Sequence, residues 1–356
     1  MAKRAITHPT GNGVVPNVGK RHVRHLRCGL RCTAVFALGN KSRYSRCMSR
    51  EIPASFAHTI RTVFTEKGAA WLSRLPQLID ECEQRWQLRV KSPFKLSYNY
   101  VAPALRVDGA CTVLKLGVPS DELTSEINAL RIYAGRGICK LIEADEVRGI
   151  LLLEQLQPGT VLSTLVPHQD EQATAIAAQV MRQLWQPVPA QHSFRTLESW
   201  TEGILEIRPK FNGGTGPFPE RLVAQAESLR DQLLHSSHSY HSSHSSVLLH
   251  GDLHHFNILQ TEQAWLAIDP KGVVGERAYE IASFLYNPFD TPITKEMVLR
   301  RITQFAELLS LDYERLLGWG IVQAVLSAWW SFDSDEEGWQ PMLGFAERVA
   351  EISNLH

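Results

Sequence analysis

His250-Gly251-Asp252-Leu253-His254-His255-Phe256-Asn257 stands between two short apolar runs, Val247 to Leu249 and Ile258 to Leu259. A polar octapeptide bounded by strand-like runs reads as a loop between two strands, which turns Asp252 and Asn257 into one cleft. Twelve residues after Asn257 a second apolar run, Leu266-Ala267-Ile268, ends in Asp269. Taken singly, Asp252 caps a turn, Asn257 satisfies loop backbone and Asp269 terminates a strand. Taken together, an acid, an amide and an acid on strand-flanked loops form a specific constellation.

The offset of five between Asp252 and Asn257 is that of the Asp and Asn in a kinase catalytic loop. There the Asp accepts or orients the proton of the substrate hydroxyl, and the Asn amide oxygen holds magnesium. Asp269 matches the second metal-holding acid. Magnesium prefers hard oxygen ligands and keeps several waters, so one carboxylate, one amide oxygen and the phosphates of ATP make a suitable shell. Asp252 is therefore the candidate catalytic residue, and Asn257 and Asp269 are the candidate metal ligands.

Upstream, Trp71, Leu72, Leu75, Leu78, Ile79, Cys82 and Trp86 recur at three- and four-residue steps, predicting a helix from Ser55 onward. Strand-like runs follow at Phe94 to Val101, Cys111 to Leu116, Ile138 to Glu143 and Ile150 to Leu153, with one helical stretch from Asp121 to Tyr133. This order predicts a small antiparallel sheet carrying one helix. Beyond Gln157-Pro158-Gly159 the pattern turns helical, near 170–186, 194–207, 219–234, 277–286, 294–309, 312–332 and 342–353. The expected fold is α+β with two lobes: a nucleotide-binding N-lobe over 51–156 and a helical C-lobe over 157–356, with catalytic loop and acceptor site.

Residues 1–50 hold eleven Lys or Arg and no acid, leaving 26 basic against 37 acidic residues in the body. They lack apolar periodicity and read as a basic, disordered tail, with Met48 as an alternative start. Gly13 to Lys20 fails as a phosphate loop because Arg21 stands where Ser or Thr must meet magnesium. His22, His25, Cys28 and Cys32 have zinc-like spacing but no surrounding pattern to fix it. The run His235 to Ser246 reads as a surface loop. Scattered cysteines imply reduced thiols, and no apolar run is long enough for a membrane helix. A cytoplasmic protein that binds neither membrane nor nucleic acid is expected; its oligomeric state is open.

HGDLHHFNIL followed by WLAIDPKGVVGERAYEIASFLYNP resembles the aminoglycoside and hydroxyurea phosphotransferase family, streptomycin 6-kinases above all, over roughly residues 55–350. The resemblance implies a protein-kinase-like fold with ATP between a β-rich N-lobe and a helical C-lobe. It also implies that Lys115, in Val113-Leu114-Lys115-Leu116, contacts nucleotide phosphates and pairs with Glu126, with Glu122 as rival. Leu151 to Leu156 resembles the hinge, placing Glu154 and Leu156 at the adenine edge through their backbone. Tyr98 to Ala110 resembles the hairpin over the phosphates, and Glu280 the acid that braces the catalytic loop. Helix capping accounts for Glu276.

The expected activity is ATP- and magnesium-dependent phosphorylation of a small-molecule hydroxyl, that of a streptomycin-like aminoglycoside first. Hydroxyurea and a sugar- or choline-like metabolite are the alternatives, and a nucleotide-binding pseudokinase is the rival of another class. The acidic body favours a cationic acceptor, with Asp333, Asp335, Glu336 and Glu337 as candidate lining.

Overall fold

The computed structural model describes residues 52–236, 246–334 and 338–353. The basic tail with its His22, His25, Cys28 and Cys32 cluster, most of the His/Ser run, and Asp335, Glu336 and Glu337 lie outside the described residues.

Helix α1 (Ala54–Arg85) buries Phe56, Ile60, Trp71, Leu72, Leu75, Leu78, Ile79 and Cys82. Its backbone leaves helical geometry at Thr65, where φ is 51° and ψ −127°. Gly68 follows the break because a β-carbon there would stand 2.3 Å from the Ile60 carbonyl oxygen. The apolar stripe of the second segment packs on Tyr100, Ala102, Leu114, Leu116 and Ile150 of a five-stranded sheet.

That sheet comprises β1 (Leu88–Val90), β2 (Tyr100–Arg106), β3 (Cys111–Leu116), β4 (Leu141–Asp145) and β5 (Ile150–Glu154), in the order β1-β2-β3-β5-β4 and antiparallel throughout. Helix α2 (Asp121–Tyr133), with Ser120 accepting the Leu123 N–H at its start, crosses between β3 and β4. Alternation along β3 sends Leu114 and Leu116 to the α1 face, and Val113 and Lys115 to the opposite face, where Val113 meets Ile127 and Leu130 of α2 in a second core. The sequence therefore places Lys115 on the side that faces the rest of the molecule.

Three strand expectations need correction. Phe94 donates its N–H to the Val101 carbonyl at 3.0 Å, so residues 95–100 form the narrow end of the β1–β2 hairpin, and residues 94–99 belong to no strand. The register pairs Val101 with Lys115 but Leu105 with Cys111. The turn nearest Lys115 is therefore the one that joins β1 to β2, whereas the Gly109 turn that closes Tyr98 to Ala110 lies at the far end of the sheet. The third change is that Ile138 and Cys139 do not join the sheet. Cys139 donates to the Ala267 carbonyl at 2.9 Å and Ala267 to that of Gly137 at 2.8 Å, a backbone tie between the lobes.

The second lobe contains β6 (Pro158–Val161), α3 (Asp170–Leu184), β7 (Arg195–Thr196), α4 (Leu197–Thr201), α5 (Ile207–Lys210), α6 (Glu220–Ser236), β8 (Val247–Leu249), β9 (Ile258–Thr261), β10 (Trp265–Ala267), β11 (Val273–Gly275), a 3-10 turn (Arg277–Ile281), α7 (Ala282–Leu285), α8 (Lys295–Leu309), α9 (Tyr313–Asp333) and α10 (Gln340–Ser353). Two three-stranded sheets, β10-β9-β6 and β7-β11-β8, carry the loops of interest. Helix α9 is the axis of the lobe: every residue from Leu316 to Ser331 is buried. A buried ion pair joins Asp170 of α3 to Arg301 of α8 at 2.6 Å, and Arg301 also donates to the carbonyls of Phe284, Leu285 and Asn287. With its charge paired and its donors engaged, this guanidinium pins the end of α7 without leaving an uncompensated charge.

Candidate active site

Strands β9 and β10 pair antiparallel, with Ile258 opposite Ala267. This hairpin explains why a twelve-residue separation brings Asn257 and Asp269 together. The two loops are stitched further: Ile268 donates its N–H to the Asn257 carbonyl (3.0 Å) and Lys271 to that of His250 (2.7 Å). His250 is buried, and burial drives its pKa down to about 4, so the ring is neutral. Its Nδ1 accepts the Asp252 N–H at 3.3 Å, so the proton sits on Nε2, which donates to the Ile268 carbonyl at 2.7 Å. One imidazole thus fixes the backbone on both sides of the cleft.

Gly251 sits at φ 81°, and a β-carbon there would lie 2.8 Å from Val273 Cγ2. Glycine is required on both counts. Below it, Glu280 accepts the N–H groups of His250 (2.7 Å) and Gly251 (3.0 Å) through its two carboxylate oxygens. Burial pushes the Glu280 pKa up, the two N–H groups pull it back and the charge of Asp252 adds to the rise, leaving it at about 7. Glu276 does not cap the turn that follows it. It pairs with Arg315 of α9 at 2.7 Å and accepts the Trp319 indole N–H, tying the turn to the central helix.

Asp252 keeps about a fifth of its side chain exposed. Asn257 donates through Nδ2 to the Asp252 carbonyl at 3.0 Å, which leaves its Oδ1 buried and without a partner among the described residues. An orphaned amide oxygen costs on the order of 1–3 kcal/mol unless something occupies it, and a cation suits an oxygen acceptor. Asp269 adopts φ 61°, a left-handed conformation uncommon outside glycine, asparagine and aspartate. Its carboxylate is 3.1 Å from Lys115 Nζ. Burial raises the Asp269 pKa, but the Lys115 and Lys271 charges outweigh it and hold the group ionised, below the usual carboxylate range. Asn257 Oδ1 and an ionised Asp269 on adjoining loops fit a hard divalent ion.

Lys115, itself buried, donates to both oxygens of Glu126, at 2.6 and 2.8 Å. It therefore spans one carboxylate from each lobe. Glu126 is the more enclosed of the two, and its burial outweighs the Lys115 charge and pushes its pKa up. Glu122, the rival acid on α2, pairs instead with Lys271 at 2.6 Å. Between them Ser125 donates to the Lys271 carbonyl at 2.7 Å, so one face of α2 is joined to Lys271 through both its side chain and its backbone. At the expected hinge, Glu154 joins Lys140, just before β4, through both backbone and side chain, donating to the Lys140 carbonyl (2.9 Å) and accepting the Lys140 N–H (3.1 Å); Leu156 is buried. Asp333 ends α9 paired to Lys210 at 3.1 Å.

Some neighbours of the site have no motif of their own in the sequence. His254 is buried and neutral, burial lowering its pKa; it accepts the Phe256 N–H at Nδ1 and so presents Nε2–H to Asp252 Oδ1 at 3.8 Å. Beneath Asp252 runs a polar chain: Trp200 donates to the Tyr279 hydroxyl (2.8 Å), Tyr279 to Gln323, Gln323 to Ser327 (3.1 Å), and Ser327 meets Tyr286 (3.1 Å). Burial raises the Tyr286 phenol, and the charge of Asp252 raises it further. The amide of Gln323 and the hydroxyl of Ser327 on α9 belong to no motif; in the sequence they only interrupt an otherwise apolar run.

The family of aminoglycoside/hydroxyurea antibiotic resistance kinases matches residues 85–335. The chain is 29% identical over 298 residues to a streptomycin 6-kinase of Streptomyces glaucescens, covering 82% of this chain and 94% of that protein. It is 32% identical over 290 residues to a hydroxyurea phosphotransferase of Kitasatospora aureofaciens, covering 80% and 82%. Among solved structures it is similar to an amicoumacin kinase in complex with AMP-PNP and Ca2+, with TM-score 0.54, 16% identity and coverage of 82% and 96%. It is also similar to a choline/ethanolamine kinase family protein from Mesorhizobium loti, with TM-score 0.57, 13% identity and coverage of 80% and 94%. At these identities the two structures speak for the two-lobed fold alone. The length of the family match, which takes in Lys115, Asp252, Asn257 and Asp269, places the chain in the aminoglycoside/hydroxyurea antibiotic resistance kinase family.

Proposed function

We propose that this chain uses ATP and magnesium to phosphorylate a hydroxyl of a streptomycin-like aminoglycoside. The observation that carries the reading is the convergence of Lys115, Asp252, Asn257 and Asp269 on one cleft, with Asn257 Oδ1 left open and Lys115 shared between the lobes. Asp252, partly exposed and held by its backbone to His250 and Asn257, orients and accepts the acceptor hydroxyl proton. Lys115 draws the phosphate chain toward the cleft, and Glu126 holds the ammonium in place. Asn257 and Asp269 would hold the magnesium ion, which would supply neutralisation of charge at the transferring phosphoryl group. On this reading the backbone at Glu154 and Leu156 meets the adenine edge.

The streptomycin 6-kinase relative supports the acceptor, and the hydroxyurea phosphotransferase relative supports a second reading in which hydroxyurea takes its place. Purified protein with ATP and magnesium should release ADP on addition of streptomycin. ADP release with hydroxyurea alone would favour the second reading. No acceptor-dependent release from any aminoglycoside, hydroxyurea, sugar or choline, with nucleotide binding intact, would sink both.

A further inference from the structure

Lys271 stands two residues after Asp269, between the catalytic loop and helix α2. Its N–H donates to the His250 carbonyl at 2.7 Å, and its Cβ lies 3.3 Å from where a β-carbon on Gly251 would stand. On the other side its carbonyl accepts the Ser125 hydroxyl at 2.7 Å, and its ammonium pairs with Glu122 at 2.6 Å. Gly272 completes the fit: it sits at φ 70°, and a β-carbon there would lie 2.9 Å from both Ser125 Oγ and Phe194 Cδ1. Glycine lets α2 approach the segment this closely.

The ion pair is largely enclosed, with 11% of the Lys271 side chain and 29% of that of Glu122 exposed. Desolvating two charges returns little net stability over apolar packing of the same volume, whereas a charge pair fixes direction. What it fixes is the backbone that leaves Asp269. Asp269 combines φ 61° with a following proline, Pro270, although a residue before proline favours an extended backbone with negative φ. Such a conformation persists only where its surroundings hold it. Upstream the hold is the Ile268 N–H on the Asn257 carbonyl at 3.0 Å; downstream it is Lys271.

Helix α2 thus reaches Asp269 by two routes one turn apart. Glu126 acts through Lys115, whose ammonium is 3.1 Å from the Asp269 carboxylate, and Glu122 with Ser125 acts through Lys271 on the Asp269 backbone. Resting on the reading of Asp269 as a metal ligand, we infer that Lys271 is a positioning residue. Latched to Glu122 and Ser125, it holds Asp269 in its left-handed turn and so sets the carboxylate for the ion. The latch couples the placement of α2 to the placement of the metal ligand.

The test compares the full chain with Lys271→Met, Glu122→Gln, Ser125→Ala and the double variant of the first two. Amide hydrogen exchange at Asp269, Lys271 and Gly272 is followed without nucleotide, and ATP affinity is titrated with and without magnesium. Lys271→Met and Glu122→Gln should each speed that exchange about tenfold and cut the gain in affinity conferred by magnesium about tenfold, with the metal-free Kd for ATP within about threefold. The double variant should be no worse than Lys271→Met alone, because both changes remove one contact. Ser125→Ala should give a smaller effect of the same kind. Glu122 is partly exposed and glutamine keeps its shape, so Glu122→Gln and Ser125→Ala carry the test where Lys271→Met fails to fold. Lowered melting temperatures with exchange and magnesium response unchanged would mark a merely structural pair and overturn the latch, as would effects that multiply in the double variant. If wild-type ATP binding ignores magnesium, the metal reading of Asp269 falls and exchange alone decides: faster exchange in the variants upholds the latch, and unchanged exchange overturns it.

Discussion

Glu280→Gln isolates the brace beneath the catalytic loop. The carboxylate offers one oxygen to the His250 N–H and the other to the Gly251 N–H, at 2.7 and 3.0 Å. Glutamine keeps the shape but has a single oxygen, and its amide NH2 would face the remaining N–H donor to donor. A hydrogen bond to a charged acceptor is worth about 1.5–3 kcal/mol, a factor of roughly 10–150 in rate if the loss falls on the placement of Asp252. The kcat should fall within that range, with the Kd for ATP changed less than about threefold because Lys115 and Asp269 are untouched. The pH dependence gives a second readout. With a pKa of about 7, Glu280 takes up a proton as the pH falls through that value and loses one acceptor, so the wild-type rate should decline there. The glutamine variant should lack that limb. Stability moves the other way: the folded pKa lies above the ordinary value of 4.5, so the folded chain holds a proton that the unfolded chain releases. Rising pH from about 4.5 to about 7 therefore costs stability, up to about 3 kcal/mol from this group, and is flat above. Urea unfolding across pH should show this slope reduced in the variant. A glutamine variant with the wild-type rate and an acid limb still near 7 would refute the brace.

Four further outcomes follow from named contacts. Asp252→Asn should lower kcat about 10²–10⁴-fold with the melting temperature nearly unchanged, and wild-type turnover would remove it as base. Lys115→Met strands Glu126 and Asp269 as carboxylates facing each other across the cleft, so it should destabilise the fold by about 3–5 kcal/mol and abolish turnover; in Asp269→Ala, nucleotide affinity should stop responding to magnesium, and a titration of ATP with and without the ion decides this. His255 is buried, its ring is stacked on Phe284 at 3.8 Å and both its nitrogens lack partners among the described residues, with burial holding its pKa well below 6.5. The unfolded chain takes up that proton first, so stability is lost as pH falls below about 6.5, and His255→Phe should reduce the loss and match or exceed wild-type stability by about 1 kcal/mol in urea unfolding at neutral pH.

The parts of the site that lie within a few residues of a strand end were legible in the sequence. Asp252, Asn257 and Asp269 sit on loops bounded by apolar runs, and the β9–β10 hairpin converts their spacing directly into proximity. Lys115 was legible only through a resemblance, because alternation along β3 fixes its face but not its partner. Glu122 and Glu126 occupy the same helix one turn apart, and spacing could not decide between them. Their contacts with Lys271 and Lys115 depend on how the lobes close. The segment before β2 misread as a strand for a local reason: Phe94 to Val101 alternates like one, yet it folds on itself at a hairpin end.

The burial of α9 on all sides bears on how such an enzyme changes its substrate. Sixteen consecutive positions, Leu316 to Ser331, admit no solvent and carry the polar chain through Gln323 and Ser327, so almost any exchange there disturbs packing or strands a hydroxyl. The segment at 289–292 and the outer positions of α10 carry no such burden: Phe289, Asp290, Pro292 and Pro341 are all exposed. A mutational library that retains phosphoryl transfer should therefore leave α9 nearly unchanged while exchanges accumulate at those four exposed positions.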